Sequence, residues 1–202
     1  ALVEGDLLPV SSSNRTETQD RAVRALPDCD KALPIRMIFG PQDDYFSNEE
    51  QNKFLGQTYT VSRQVDRMGM RLEGEALQHI VGADIASDGI AIGSIQVPAN
   101  GLPIILLSDH QTAGGYSKIA TVISADLPRL AHMKTGNSFA FQSVSVEEAE
   151  EALRNAEQAL TTLLETIAPM KPDANQIAAK LYKTNLVSGV LNATNPLVDE
   201  QP

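Results

Sequence analysis

Residues 87–127, SDGIAIGSIQVPANGLPIILLSDHQTAGGYSKIATVISADL, carry the pattern on which the fold turns. Two short apolar runs, 95–97 and 104–107, flank the turn PANGLP, whose Asn100-Gly101 pair suits a tight hairpin. A third run, 118–123, is β-branched and apolar and reads as another strand. Between the second and third runs stand Asp109-His110-Gln111-Thr112 and then Gly114-Gly115-Tyr116. A strand ending in acid, amide and hydroxyl groups, followed by two glycines, presents polar atoms and bare backbone to a small ligand. On that reading Asp109 and Gln111 hydrogen-bond a polar substrate, while Thr112 and the glycine amides face developing negative charge. The plain alternative is a polar loop with a Gly-Gly turn.

The segments on either side extend the β character. Residues 34–39 form a short apolar strand closed by Gly40-Pro41. Ser47 offers an N-cap, with Glu49 and Glu50 in the first turn, for a helix to about Leu55. Residues 57–63 alternate and are rich in β-branched and aromatic types, and 68–73 continue as a short strand around Gly69. Ser124-Ala125-Asp126 caps a short helix through Leu130, and Lys134-Thr135-Gly136 turns into a strand over 138–142. From Ser145 the period changes. Ser145 and Glu148 make a capping box, and Ala149, Leu153, Ala156, Leu160, Leu163, Leu164 and Ile167 recur at the spacing of one buried helix face. Pro169 and Pro172 end that helix, and a second is expected over 173–183. Residues 1–10 read as the end of a hairpin turning at Gly5-Asp6, and the polar stretch after them reads as a linker. The expected fold class is therefore mainly β (β-rich α+β), with a C-terminal helical hairpin. Three regions follow: 1–33 hairpin end and linker, 34–144 the β domain, and 145–202 helices and tail.

Composition narrows the function classes. A chain of 202 residues holds one domain of ordinary size with a helical annex. Aromatics make up 4% and Trp is absent, so an aliphatic core is expected. The net charge of −10 argues against nucleic acid and anionic membranes as partners. No apolar run approaches the roughly 20 residues a membrane helix needs, and the N-terminus lacks a signal-peptide pattern, so a cytoplasmic location is expected. Cys29 stands alone in a polar stretch and reads as a bystander thiol.

Two further clusters carry possible chemistry. In Ser62-Arg63-Gln64-Val65-Asp66-Arg67-Met68-Gly69, two arginines and an aspartate around a turn would clamp a carboxylate, because a guanidinium is a planar fork of donors. An Asp66–Arg67 or Asp66–Arg63 surface pair holding the turn is the alternative. Arg71 and Lys118 are weaker candidates for the same duty. Gly40-Pro41-Gln42-Asp43-Asp44-Tyr45-Phe46 has paired acids suited to proton transfer, but also the look of a turn before a helix. His79, His110 and His132 are too scattered for a helical metal pair, so no metal site is expected; His110 alone sits where a base would be useful. The chain has neither a phosphate-binding P-loop nor a serine nucleophile elbow.

Four segments occur in a recognisable order: IRMIFGPQDDYF (35–46), YTVSRQVDRMGMRLEG (59–74), residues 87–131, and TGNSFAFQSV (135–144). Together they resemble the carboxyltransferase-like "allophanate hydrolase subunit 2" family, which includes the C subunit of bacterial 5-oxoprolinase and KipA-like proteins. The resemblance implies a cyclophilin-like β-barrel. It also implies one component of a complex that, with KipI-like and LamB-like subunits, opens 5-oxoproline to L-glutamate at the expense of ATP. ATP would be bound mainly by the partner subunits. Asp109, Gln111, Thr112 and Tyr116 would be catalytic, and Arg63, Asp66, Arg67, Gly114, Gly115 and Lys118 would bind the small amide or lactam. Two alternatives come with the family: a carboxyltransferase module of a urea carboxylase, using biotin supplied in trans, or a non-catalytic partner of a KipI-like kinase inhibitor. The family pattern begins about a hundred residues earlier. A missing Gly-rich half, supplied by another segment or chain, is therefore expected to complete the barrel and the site, and without it strand edges should be left unpaired.

Overall fold

A computed structural model of the chain describes residues 21–23 and 33–169. The chain divides into two compact units, one of Ala25–Glu165 and one of Ala1–Arg24 with Thr166–Pro202. In the latter, β1 (Arg21–Ala22) pairs antiparallel with the last described strand, Ala168–Pro169. The hairpin read at 1–10 and the helix read at 173–183 lie outside the described residues.

The larger unit begins with β2 (Ile35–Phe39), α1 (Asn48–Gly56), β3 (Tyr59–Val65) and β4 (Gly69–Glu73). It continues with β5 (Asp84–Gly89), β6 (Ser94–Gln96), β7 (Ile104–Leu106), β8 (Ala113–Tyr116) and β9 (Lys118–Val122). The short helix α2 (Leu127–Ala131), β10 (Ser138–Phe139), β11 (Phe141–Ser143) and α3 (Val146–Glu165) complete it. Eight strands form one sheet in the order β10-β3-β4-β7-β6-β9-β2-β11. Its two terminal strands, β10 and β11, are consecutive in the chain and separated only by Ala140, whose carbonyl accepts from Ile35 N at 2.8 Å. One extended segment thus pairs first with β3, antiparallel, and then with β2, parallel, and brings the sheet round into a nearly closed barrel. The unpaired barrel edges expected from a missing half are not present in this sheet, because residues 137–143 bridge them.

The two strands expected around PANGLP do pair: β6 and β7 run antiparallel with Ile95 opposite Ile105, but residues 97–103 connect them as a longer loop and not as a tight turn. Gly101 has φ +74°, and a side chain there would run into the Leu77 backbone, so glycine is required on two counts. Ile35, Met37, Ile95, Ile105 and Ile119 are fully buried. The core is not only aliphatic, however. Phe54 from α1 stacks on Phe141 at 4.7 Å, with Tyr59 at 5.7 Å from Phe54 and Phe139 edge-on to Phe141 at 5.3 Å. Phe54, Tyr59, Phe139 and Phe141 thus form an aromatic cluster beside α1, whose cap is the expected one: Ser47 Oγ accepts from Glu50 N at 3.2 Å.

Two local readings change. Asp126 does not cap α2; its carboxylate is 1% exposed and accepts from Arg36 N at 2.8 Å and Arg36 Nη2 at 2.7 Å, with Arg129 Nη1 at 3.4 Å. Inside the barrel's wall a cation satisfies this acid better than backbone amides of a five-residue helix. The capping box at Ser145 and Glu148 forms with both of its bonds, but the stripe behind it is not buried. Val146, Ala149 and Leu153 line a shallow groove against β2 and β9, while Leu160 and Leu164 are both 55% exposed. The helix, about 30 Å long, meets the barrel at β2 and at the 3₁₀ turn before α2.

Candidate functional site

The site is built outward from the β3–β4 turn. Asp66 Oδ1 accepts from Met68 N at 2.8 Å and Gly69 N at 3.0 Å, so this acid serves the turn itself. The ladder between β3 and β4 shifts register between Val61 and Val65. Arg63 lies in that interval, and such irregularities re-aim side chains. The loop after β7 is stitched to the same turn. Leu107 N donates to Met68 O at 3.0 Å, Asp109 N donates to Arg67 O at 2.9 Å, and the Arg67 guanidinium pairs with the Asp109 carboxylate at 3.0 Å. The sequence segments DRMG and SDHQT are therefore neighbours in space.

Between these elements lies a cavity of about 500 Å³. Arg63, Gln64, Val65 and Asp66 line it from β3 and its turn, and Gly69 and Arg71 from β4. Ile104 and Leu106 supply an apolar side from β7, and Gln96, Gln111 and Tyr116 supply polar groups from β6, the loop and β8. Among the described residues no carboxylate lies within ion-pair distance of Arg63 or Arg71. An apolar wall with two such cations and convergent amides suits a small polar anion.

Of the sequence-predicted residues, Gln111, Tyr116, Arg63 and Asp66 come together on this cavity. Asp109, Thr112 and Arg67 are not among its lining residues: Asp109 and Arg67 spend their charges on each other, and the Thr112 carbonyl accepts from Ile90 N at 3.1 Å. Gly114 and Gly115 lie inside β8, which pairs with β5, so they form neither a Gly-Gly turn nor a free loop. Lys118 is buried in β9, its Nζ 2.8 Å from Asp88 Oδ2, and does not line the cavity. That pair, with Gln42 accepting from Lys118 N at 3.1 Å and reaching Asp88 at 3.5 Å, fastens the β5–β8 ribbon to the barrel. The Lys118 hydrogen bond holds the Asp88 carboxyl below its usual range. The paired acids Asp43 and Asp44 form a 3₁₀ turn before α1, and the Asp43 carbonyl accepts from Phe46 N at 3.0 Å. His110 Nδ1 lies 2.6 Å from its neighbour's carbonyl at Gln111. His79 packs on Phe46 and lies 3.1 Å from both Val97 O and Ser117 Oγ, and burial pushes its pKa down.

Gln96 was not singled out by sequence. Its only signal was an amide between Ile95 and Val97 in an otherwise apolar strand. Arg71 carried only a weak one. Among the described residues no group of three or more His, Cys, Asp or Glu side chains is placed to hold a metal, and no helix is long and apolar enough to cross a membrane.

Comparison with known proteins is consistent with this architecture. Residues 1–143 match the family model described as carboxyltransferase domain, subdomain A and B. The chain is 36% identical over 157 residues to the C subunit of 5-oxoprolinase from Escherichia coli, covering 78% of this chain and 50% of that protein. It is 39% identical over 129 residues to the C subunit of 5-oxoprolinase from Haemophilus influenzae, covering 62% and 42%. The chain thus spans half or less of the length of these curated relatives. Among solved structures, the urea carboxylase of Kluyveromyces lactis superposes with a TM-score of 0.61 at 20% identity, over 71% of this chain and 14% of that one. That likeness speaks for the fold. The family match extends over most of the 202 residues, and the chain belongs to the carboxyltransferase domain family, subdomains A and B.

Proposed function

We propose that this chain is part of a multi-subunit 5-oxoprolinase, which opens the lactam of 5-oxoproline to L-glutamate with hydrolysis of ATP. The observation that carries the reading is the cavity that joins Arg63 and Arg71 to Gln111 and Tyr116 against an apolar wall. A lactam with one carboxylate matches it group for group. A guanidinium takes the carboxylate as a planar fork, the ring rests on Ile104 and Leu106, and carboxamide donors meet the carbonyl oxygen. Donors aimed at that oxygen draw electron density from the carbonyl carbon and favour attack there. In the net reaction water adds its oxygen to that carbon, the C–N bond breaks and the nitrogen leaves as the amine. The Arg67–Asp109 pair holds the 107–112 loop, and with it Gln111, in place. ATP would be bound mainly by the KipI-like and LamB-like subunits, since these 202 residues contain no P-loop.

Reconstitution with those two subunits tests the reading: glutamate should be released from 5-oxoproline in step with ATP hydrolysis. No release of glutamate with all three present would overturn it. The family's description favours a second reading, transfer of a carboxyl group from carboxybiotin on a separate carrier to a urea-like amide. Strict independence from biotin removes that alternative.

A further inference from the structure

We infer that Gln96, with Gly114 as the spacing residue beside it, recognises the carbonyl oxygen of the bound amide. Gln96 closes β6, lines the cavity and is 2% exposed, yet its Nε2 has no hydrogen-bond partner among the described residues. A buried donor left unmade is costly, and folds rarely keep one without use. The contrast with its cross-strand neighbour is direct. Lys118, opposite Gln96 in β9 and equally buried, has Asp88 at 2.8 Å. The same wall satisfies one buried polar group and leaves the other open.

Gly114 shows why the opening persists. A Cβ added there would stand 2.6 Å from Ile90 Cδ1 and 2.8 Å from Gln96 Nε2, with Gln111 Nε2 at 3.6 Å. Two carboxamide nitrogens, one from the barrel wall and one from the loop, thus border the space that a Cβ on this one glycine would fill. A carbonyl oxygen has two lone pairs and can take both donors, whereas a methylene in its place can take neither. The ligand class is an amide, lactam or urea whose oxygen enters between the two glutamines. Naming 5-oxoproline as that ligand rests on the reading proposed above; the donor role of Gln96 does not.

The test uses the full chain in its reconstituted complex. Binding of 5-oxoproline, urea, succinimide and proline is measured by titration calorimetry for the wild type, Gln96→Met and Gly114→Ala, the last probing the spacing beside Gln96. Proline keeps the ring and carboxylate of 5-oxoproline but has a methylene where the carbonyl stood. Both variants should bind the preferred carbonyl compound about 10- to 100-fold more weakly, with proline unaffected by Gln96→Met. Thermal unfolding of Gln96→Met should be unchanged or raised, because an unpaired buried donor has been removed; a purely structural Gln96 would lower it. Undiminished binding by Gln96→Met overturns the inference. If the wild type takes urea or succinimide but not 5-oxoproline, the substrate reading fails while the donor role is judged on the compound that binds. If no carbonyl compound binds the wild type, both fail.

Discussion

Two arginine-bearing regions of the barrel use the same chemistry to opposite ends. At the start of β2, Arg36 and Arg129 close around Asp126, and the hydrogen bond to that carboxylate raises the Arg36 pKa further above its usual value. On the far side of the sheet order, Arg63 and Arg71 face a cavity and meet no carboxylate among the described residues. The first set is complete within the fold and holds the 3₁₀ turn before α2 to the barrel. The second set has no acidic partner among the described residues, and both of its side chains are exposed and free to meet a ligand. On the function proposed above, the first set serves the fold and the second would meet the substrate carboxylate.

The largest expected effect breaks the closed set. Asp126→Ala should cost about 3 kcal/mol in chemical or thermal unfolding, since it takes a shared acceptor from two guanidinium groups and a backbone amide. Next, Arg63→Ala should leave the unfolding midpoint within about 0.5 kcal/mol of wild type while weakening binding of a carboxylate-bearing lactam about 10- to 100-fold by calorimetry. Should Arg63→Ala instead destabilise as Asp126→Ala does, the distinction between the two regions is lost. A smaller effect concerns pH. Burial lowers the His79 pKa from its ordinary 6.5, so the unfolded chain takes up the proton first. The stabilisation from a neutral His79 is complete above about pH 6.5 and is lost as pH falls through that value toward the folded one. The unfolding midpoint should drop over that window in the wild type and drop less in His79→Gln. Smallest is Arg67→Ala, which removes a guanidinium that is 84% exposed and should change stability by no more than about 0.5 kcal/mol.

Much of the barrel was legible in local pattern. The strands around PANGLP, the Ser47 cap and the Ser145–Glu148 box depend on turn residues, alternation and side-chain caps that act within a few positions. Barrel closure was not legible. It depends on residues 137–143 reaching two strands from far earlier in the chain, and no short-range signal announces such a pairing. The α3 stripe shows the converse. Its period was correct, but burial needs a surface opposite, and among the described residues of α3 none is fully buried, although Val146, Ala149 and Leu153 border a groove on the barrel.

The site divides in the same way. Residue types marked the polar cluster after β7 as suited to a polar ligand and the arginines of the β3–β4 turn as suited to a carboxylate, each beside a plainer reading as a loop or a surface ion pair, and the amide or lactam came only with the family resemblance. Which of them face the cavity was settled only by the tertiary structure. Asp109 and Lys118 find ionic partners, the Gly-Gly pair enters a strand, and Gln96, inconspicuous in an apolar run, has no partner for its Nε2 among the described residues. The physical reason is that a side chain's chemistry belongs to the residue, while its availability depends on which neighbours the fold brings within hydrogen-bonding distance.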